Sequence, residues 1–473
     1  MLSRRGFAAG LLAAALPEPC RFEHAALPAA GAPIPIAGFA EHTLEAGGLL
    51  LRWPRELPNA TGFGFAFGLD YREFGNIAVH LARSGRRLAL VNVSMAPRFD
   101  PYFVPLAAAD ARAASREGLL LRPDSGDARR SILSATPERR REAPALHPHL
   151  LVPGQLKPLD EYARRMRSLD VVQEFDWRAG CVTEGLHALN APDALRRYLR
   201  LFLDESPREA TEAFRRGVEQ TLPAAAILRV HREHPTIDDA LALWNKRRTA
   251  AGIVQDSTRI VAEANYTVAY PMALLGVLRD DPSLRARAIA QLRAARDRLL
   301  DPAGAIHLRH DESTGERTYL GWARGVAWYI LGLAATLDAL PAWEHPRDLK
   351  DELHRALAWA LQYQRPDGLF CAFLPEPEVA PDTSGSAGIA AAILIAHRHS
   401  IAEPPWTRAA RRALDGCIAR LTPHGFLTGV SQSNKREGGP AFQRSPHRCN
   451  MQFGMGFLGV LIGESRRAAL PTA

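Results

Sequence analysis

From Leu159 to Glu464 the chain repeats apolar residues at spacings of three and four, in about a dozen segments of helix length separated by caps, prolines and glycines. No other feature constrains the fold as strongly. Each segment carries one apolar stripe that it cannot bury alone, so such a run must pack as an array of helices, antiparallel wherever the connections are short. The expected fold class is mainly α, with the helical part at residues 158–465. Residues 33–120 read differently. Leu49–Trp53, Gly62–Phe67 and Leu88–Val93 are short apolar or alternating runs broken by Gly, Pro and Asn, and Arg83-Ser84-Gly85-Arg86 has the composition of a hairpin turn. A smaller N-terminal β-rich region is expected there, either a carbohydrate-binding module or a cap on the main domain. Residues 121–157, with Pro123, Pro137, Pro144, Pro148, Pro153 and many arginines, read as an exposed linker.

Residues 1–32 read as a signal peptide and leader. Arg4-Arg5-Gly6-Phe7, followed by an Ala/Leu run to Leu16, has the form of a twin-arginine signal, which implies export in the folded state to the periplasm or the outside. No apolar run approaches the ~20 residues of a membrane-spanning helix, so no stable membrane anchor is expected. The formal charge of +8 comes from arginine, the only lysines being Lys157, Lys246, Lys350 and Lys435. Basic residues form no block interleaved with aromatics, which argues against nucleic acid as a partner and leaves mild attraction of anionic sugars. Cys20, Cys181, Cys371, Cys417 and Cys449 show no CxxC spacing, and the residues before Cys20 lack the small side chains of a lipoprotein signal. Neither metal nor cofactor is expected.

Three motifs follow one another in the helical part. Trp322-Ala323-Arg324-Gly325-Val326-Ala327-Trp328-Tyr329 opens a long apolar segment; Arg324 and Trp328, four apart, share a helix face, where a planar five-donor fork beside a flat indole suits a sugar bearing a carboxylate. Gln364-Arg365-Pro366-Asp367-Gly368-Leu369-Phe370 follows, and then Asp382-Thr383-Ser384-Gly385-Ser386-Ala387. In this order they resemble the signature region of the unsaturated uronyl hydrolases, glycoside hydrolase families 105 and 88, with Ala327 in place of the second motif glycine. The resemblance extends upstream through Asp301–His307 and Asp311–Ser313.

The resemblance implies an α/α toroid of about six helix pairs that hydrates the C4=C5 double bond of unsaturated glucuronyl or galacturonyl oligosaccharides, without metal. It implies two acidic residues, one to give a proton to the alkene and one to assist. Val218-Glu219-Gln220-Thr221-Leu222-Pro223 matches the first acidic position with Glu219. Alignment of the second stretch on Pro271 puts Ala264 where the family has its principal Asp, flanked by Glu263 and Asn265. Glu219, Glu263 and Asn265 are thus the catalytic candidates. Trp322, Arg324, Trp328, His307, Thr383 and Ser384 are carried over as substrate-binding, with Trp177 as a cavity floor and Tyr266 beside Asn265. Two other readings stay open. Asn265 and Tyr266, with His307 or His310, suit a uronate polysaccharide lyase, whereas loss of the principal acid suits a non-catalytic sugar-binding protein. The plainer roles are helix capping for Thr383 and Ser384, core packing for Trp177, and surface charge for the two glutamates. The expected partner is a small oligosaccharide bearing a uronic acid; no oligomeric state is implied.

Overall fold

The computed structural model describes residues 17–70, 73–124, 129–432, 434 and 439–469. The twin-arginine segment expected at Arg4–Leu16 lies outside the described residues.

The molecule is mainly helical, with sixteen α-helices and several small sheets among the described residues. Six helices, Trp177–Ala188, Pro223–Val230, Tyr270–Leu278, Ala323–Ala339, Thr383–Arg398 and Gln452–Arg467, pack each on the next, and the last packs on the first. Each bears an outer neighbour: Pro192–Leu203, Thr236–Lys246, Pro282–Leu299, Arg347–Leu361, Trp406–Ile418 and Pro158–Arg167 respectively. Sequence explains which helix lies inside. Ala323–Leu337 is buried on every side, as a helix apolar all round save for Arg324 and Thr336 must be, whereas Pro192–Leu203 buries one stripe and leaves Asp193, Arg196 and Arg200 outward.

The inner helices approach closely through glycine. A Cβ on Gly456 would lie 2.3 Å from the Cys181 carbonyl oxygen, and one on Gly185 would meet Gly456 in return. Gly456→Ala is expected to destabilise the fold by about 1–3 kcal/mol through overpacking against backbone that cannot yield, read as a lower midpoint in a thermal melt.

The β part runs from Arg21 to Val152. Two four-stranded antiparallel sheets, one of Arg21–His24, His149–Val152, Gly62–Ala66 and Pro101–Pro105, the other of Leu49–Leu51, Leu119–Pro123, Asn76–Leu81 and Arg87–Asn92, accompany a three-stranded one of Ser131–Ala135, Phe39–Thr43 and Ala32–Pro33. Asn76–Leu81 and Arg87–Asn92 form the expected hairpin, closed by Gly85 at φ +71°. Strand alternation divides the side chains between two cores: Phe65, Phe67 and Ile132 face the interior of the β part, while Ala66, Leu133 and Ala135 join the core of the helical array.

The reading of residues 121–157 as an exposed linker is corrected. Ser131–Ala135 and His149–Val152 are buried throughout, and Pro137–Glu142 is a short helix capped by Thr136. The prolines mislead because they occupy permitted places: Pro123 ends a strand, and Pro137 takes the first helical position, where no amide donor is needed.

Candidate active site

Within the stretch whose apolar spacing reads as helical, Arg259–Val261 is instead a strand, leading to a π-helical turn at Asn265–Ala269 and the helix Tyr270–Leu278. Arg259–Val261 pairs antiparallel with Arg309–Asp311, which pairs with Arg317–Thr318; Val261 lies opposite Arg309 and both face one cavity. The pairing partner is distant in sequence, so helical periodicity alone did not reveal it. The wide turn at Asn265 is held by close packing, since a Cβ on Gly332 of the neighbouring inner helix would lie 2.5 Å from the Asn265 carbonyl carbon.

The cavity, about 150 Å³, lies at the N-terminal ends of inner helices and is lined by Trp177, Glu219, Asp256, Val261, Glu263, Arg309, Arg324, Trp328 and Asn434. It shares Asp256, Arg309 and Asn434 with a wider vestibule of about 810 Å³ that also takes in Arg259, Asp311, Glu316 and Tyr319. The structure therefore brings Glu219, Glu263, Trp177, Arg324 and Trp328 together, five of the residues named from sequence.

Glu219 sits in the short turn Val218–Thr221 before the Pro223 helix. Gln220 Nε2 donates to one carboxylate oxygen at 2.9 Å, and the other has no partner among the described residues. Burial raises its pKa, and the charges of Asp256 and Glu263 raise it further. Burial also raises the pKa of Glu263, against the opposing pull of the Arg309 and Arg324 guanidiniums. One carboxyl thus has other carboxylates as its charged neighbours; the second has two cations as well as Asp256.

Trp177 opens its helix behind Asp176, whose carboxylate accepts from the Arg178 amide at 2.8 Å and grips the Arg178 guanidinium. Its indole meets Trp328 edge to face, ring centres 5.4 Å apart, so the two form adjoining apolar walls.

Arg324 does not stack on Trp328, as the helical spacing suggested. It is fully buried, its guanidinium 4.4 Å from the Trp322 ring centre, 4.8 Å from Phe453 and 5.5 Å from Trp177. One terminal nitrogen donates to the Ser431 carbonyl at 2.8 Å and the other to Gln432 at 3.1 Å. Trp322 lies behind it and does not line the cavity. Thr383 and Ser384 are likewise absent from the lining. The Thr383 hydroxyl donates to the Thr428 carbonyl and that of Ser384 to Asp382, while Asp382 also accepts from the Ser431 amide at 3.0 Å. The Asp382–Ser384 turn therefore acts one step removed, fixing the segment whose carbonyls hold Arg324.

Asn265 is fully buried and spends its amide on the Tyr329 carbonyl at 3.2 Å; Tyr266 is buried in a stack on Tyr270, ring centres 5.4 Å apart. His307 and His310 lie on or beside the small sheet, outside the cavity lining. The Asn–Tyr–His set on which the lyase reading depends is not gathered at the cavity. Sequence reasoning missed Asp256 and Arg309. The available signal was the run Arg309-His310-Asp311, then the turn Asp311–Glu316 with Gly315 at φ +72°, which mark a hairpin whose alternate residues face one way. All five cysteines are free and buried, and no cluster of metal-ligating side chains occurs among the described residues.

Residues 265–468 match the model of Glycosyl Hydrolase Family 88, so the resemblance to unsaturated uronyl hydrolase-like proteins read from the motifs is borne out. No curated protein matches the chain. Among solved structures, a family 105 glycoside hydrolase of C. acetobutylicum ATCC 824 is 18% identical, with a TM-score of 0.57, over 66% of this chain and 100% of that one. The unsaturated glucuronyl hydrolase of Bacillus sp. GL1, responsible for the degradation of glycosaminoglycan, is 18% identical, with a TM-score of 0.50, over 65% of this chain and 94% of that one. A possible family 105 member from Klebsiella pneumoniae subsp. pneumoniae MGH 78578 is 19% identical, with a TM-score of 0.54, over 62% of this chain and 83% of that one. At these identities the likeness is one of fold.

Proposed function

We propose that the protein is an unsaturated uronyl hydrolase, acting on small oligosaccharides whose terminal ring is a 4,5-unsaturated glucuronyl or galacturonyl residue, and that its helical ring is an α/α toroid. The observation that carries this reading is the convergence of Glu219 and Glu263, both with raised pKa, on one small cavity walled by two indoles. Hydration needs a carboxyl that keeps a proton near neutral pH and a carboxylate that accepts one from water. Glu219, beside other carboxylates, is the acid that gives its proton to C4. Glu263, facing two guanidiniums, is the base that takes a proton from water as the oxygen adds to C5. The product is a hemiketal at C5, which opens and releases the adjoining sugar.

The test follows the near-ultraviolet absorbance of the conjugated double bond on lyase-generated disaccharides. Loss of absorbance supports the hydrolase; rising absorbance on intact polyuronate supports a lyase; no change with either, while the sugar still binds, supports a binding protein. The role assignment has its own check in the pH–rate profile. Activity should fall toward high pH as Glu219 loses its proton and toward low pH as Glu263 gains one; Glu219→Gln should abolish the alkaline limb in whatever activity remains, and Glu263→Gln the acidic one. The reverse assignment of limbs would exchange the two roles.

The protein is proposed to work after export by the twin-arginine route. With residues 1–32 fused to a reporter, replacing Arg4 and Arg5 by Lys should stop translocation, read by cell fractionation; unchanged export would refute this route.

A further inference from the structure

The motif residue Arg324 invites assignment as the group that grips the substrate's acid, yet both of its terminal nitrogens already donate to carbonyls, those of Ser431 and Gln432. Its faces are covered by Trp322, Phe453 and Trp177. Arg309 differs on each point. It stands where cavity and vestibule meet, lining both, and is half-buried. Tyr319 supports its guanidinium, 5.4 Å from the ring centre, which leaves the donor edge open. Among the described residues that guanidinium makes no hydrogen bond and no ion pair, whereas Arg259, the other arginine of the vestibule, is paired with Asp311 at 3.5 Å. A half-buried fork over an aromatic ring, with no hydrogen-bond or ion-pair partner among the described residues, is built to receive a planar or tetrahedral anion.

We infer that Arg309 is the residue that takes the anionic group of the substrate, while Arg324 shapes the cavity wall. The inference rests on the uronyl reading for the class of ligand and on the geometry for the residue. The anion has two possible sources at this junction, the carboxylate of the terminal ring in the cavity or an acidic substituent on the next sugar in the vestibule. Tyr319 and Arg309 together would make the threshold between the two rings the place where charge is read.

The test is binding, separate from turnover. Saturated uronyl disaccharides lack the double bond and are not hydrated; two such probes, one with a neutral and one with a sulfated second sugar, are titrated into wild type, Arg309→Gln and Arg309→Lys by calorimetry. Arg309→Gln is expected to weaken binding about tenfold or more, and Arg309→Lys to recover part of that loss, because charge returns without the fork. Weakening on both probes assigns the terminal carboxylate; weakening on the sulfated probe alone assigns the next sugar. Unchanged binding of both probes by Arg309→Gln overturns the inference, as does failure of the wild type to bind either. Far-ultraviolet circular dichroism and a thermal melt check that each variant is folded, and Arg309→Lys carries the test if Arg309→Gln is not. If unsaturated disaccharides are never turned over while Arg309-dependent binding persists, the hydrolase reading fails and this one stands.

Discussion

Glu219→Gln is expected to lower kcat on an unsaturated uronyl disaccharide by about 10²–10⁴-fold with little change in substrate binding. The amide keeps the volume and the contact with Gln220 but has no proton to deliver. Stability should move the other way. A carboxyl whose pKa is raised on folding adds stability that is fully present below its unfolded pKa and is lost as pH rises through the raised folded value. Near neutral pH, where the unfolded chain ionises this carboxyl freely, burying Glu219 is therefore a burden on the fold, and glutamine removes it. The melting temperature of Glu219→Gln should equal or exceed that of wild type at pH 7, with the advantage shrinking toward acid. A variant that loses activity and also melts lower at pH 7 would mark Glu219 as a structural acid instead.

The second large effect concerns Arg324. Arg324→Met should destabilise the protein by about 3–5 kcal/mol, the range for removing one partner from a buried charged hydrogen-bond set, because the Ser431 carbonyl loses its guanidinium donor, the Gln432 carbonyl keeps only Gln443, and Asp382 loses its facing cation. Arg324→Lys should retain part of the loss, since an ammonium reaches one carbonyl but not both and cannot lie flat among three rings. Chemical denaturation measures both. If Arg324 served only to bind substrate, neither variant would shift the midpoint, and the loss would fall entirely on KM.

The sequence disclosed the helical array because each inner helix announces itself locally, through apolar residues on all sides and glycines where neighbours touch. It disclosed Glu219 and Trp328 because the motifs hold them at fixed places near helix starts, Glu263 because it flanks such a place, and Trp177 because an indole stands out at the start of an early inner helix. It concealed Asp256 and Arg309, which reach one cavity through a strand pairing across some fifty positions that no local period encodes. It also overstated Thr383, Ser384 and Trp322. Hydroxyls at a helix start can serve a ligand or the chain itself with the same spelling, and only the positions of Thr428, Asp382 and Ser431 show that here they serve the chain. His307 failed for a related reason: it lies in the chain just ahead of the strand Arg309–Asp311, outside the cavity lining, a placement that its motif spacing does not encode.

The segment that clamps Arg324 is itself tied to the other end of the molecule. Gln432 Nε2 donates to the Ser94 carbonyl, Gln452 Nε2 reaches the Phe99 carbonyl at 2.6 Å, and Arg98 pairs with Glu174 at 3.1 Å just ahead of Trp177. The Gln432–Ser94 contact spans 338 positions. Loops with such distant ends close late in folding, after local helices have formed. A ribosome-bound chain that has not yet emitted Gln432 can have its sheets and most of its inner helices but no finished pocket, so competence to bind sugar should arise in a single late step, after synthesis has passed that residue.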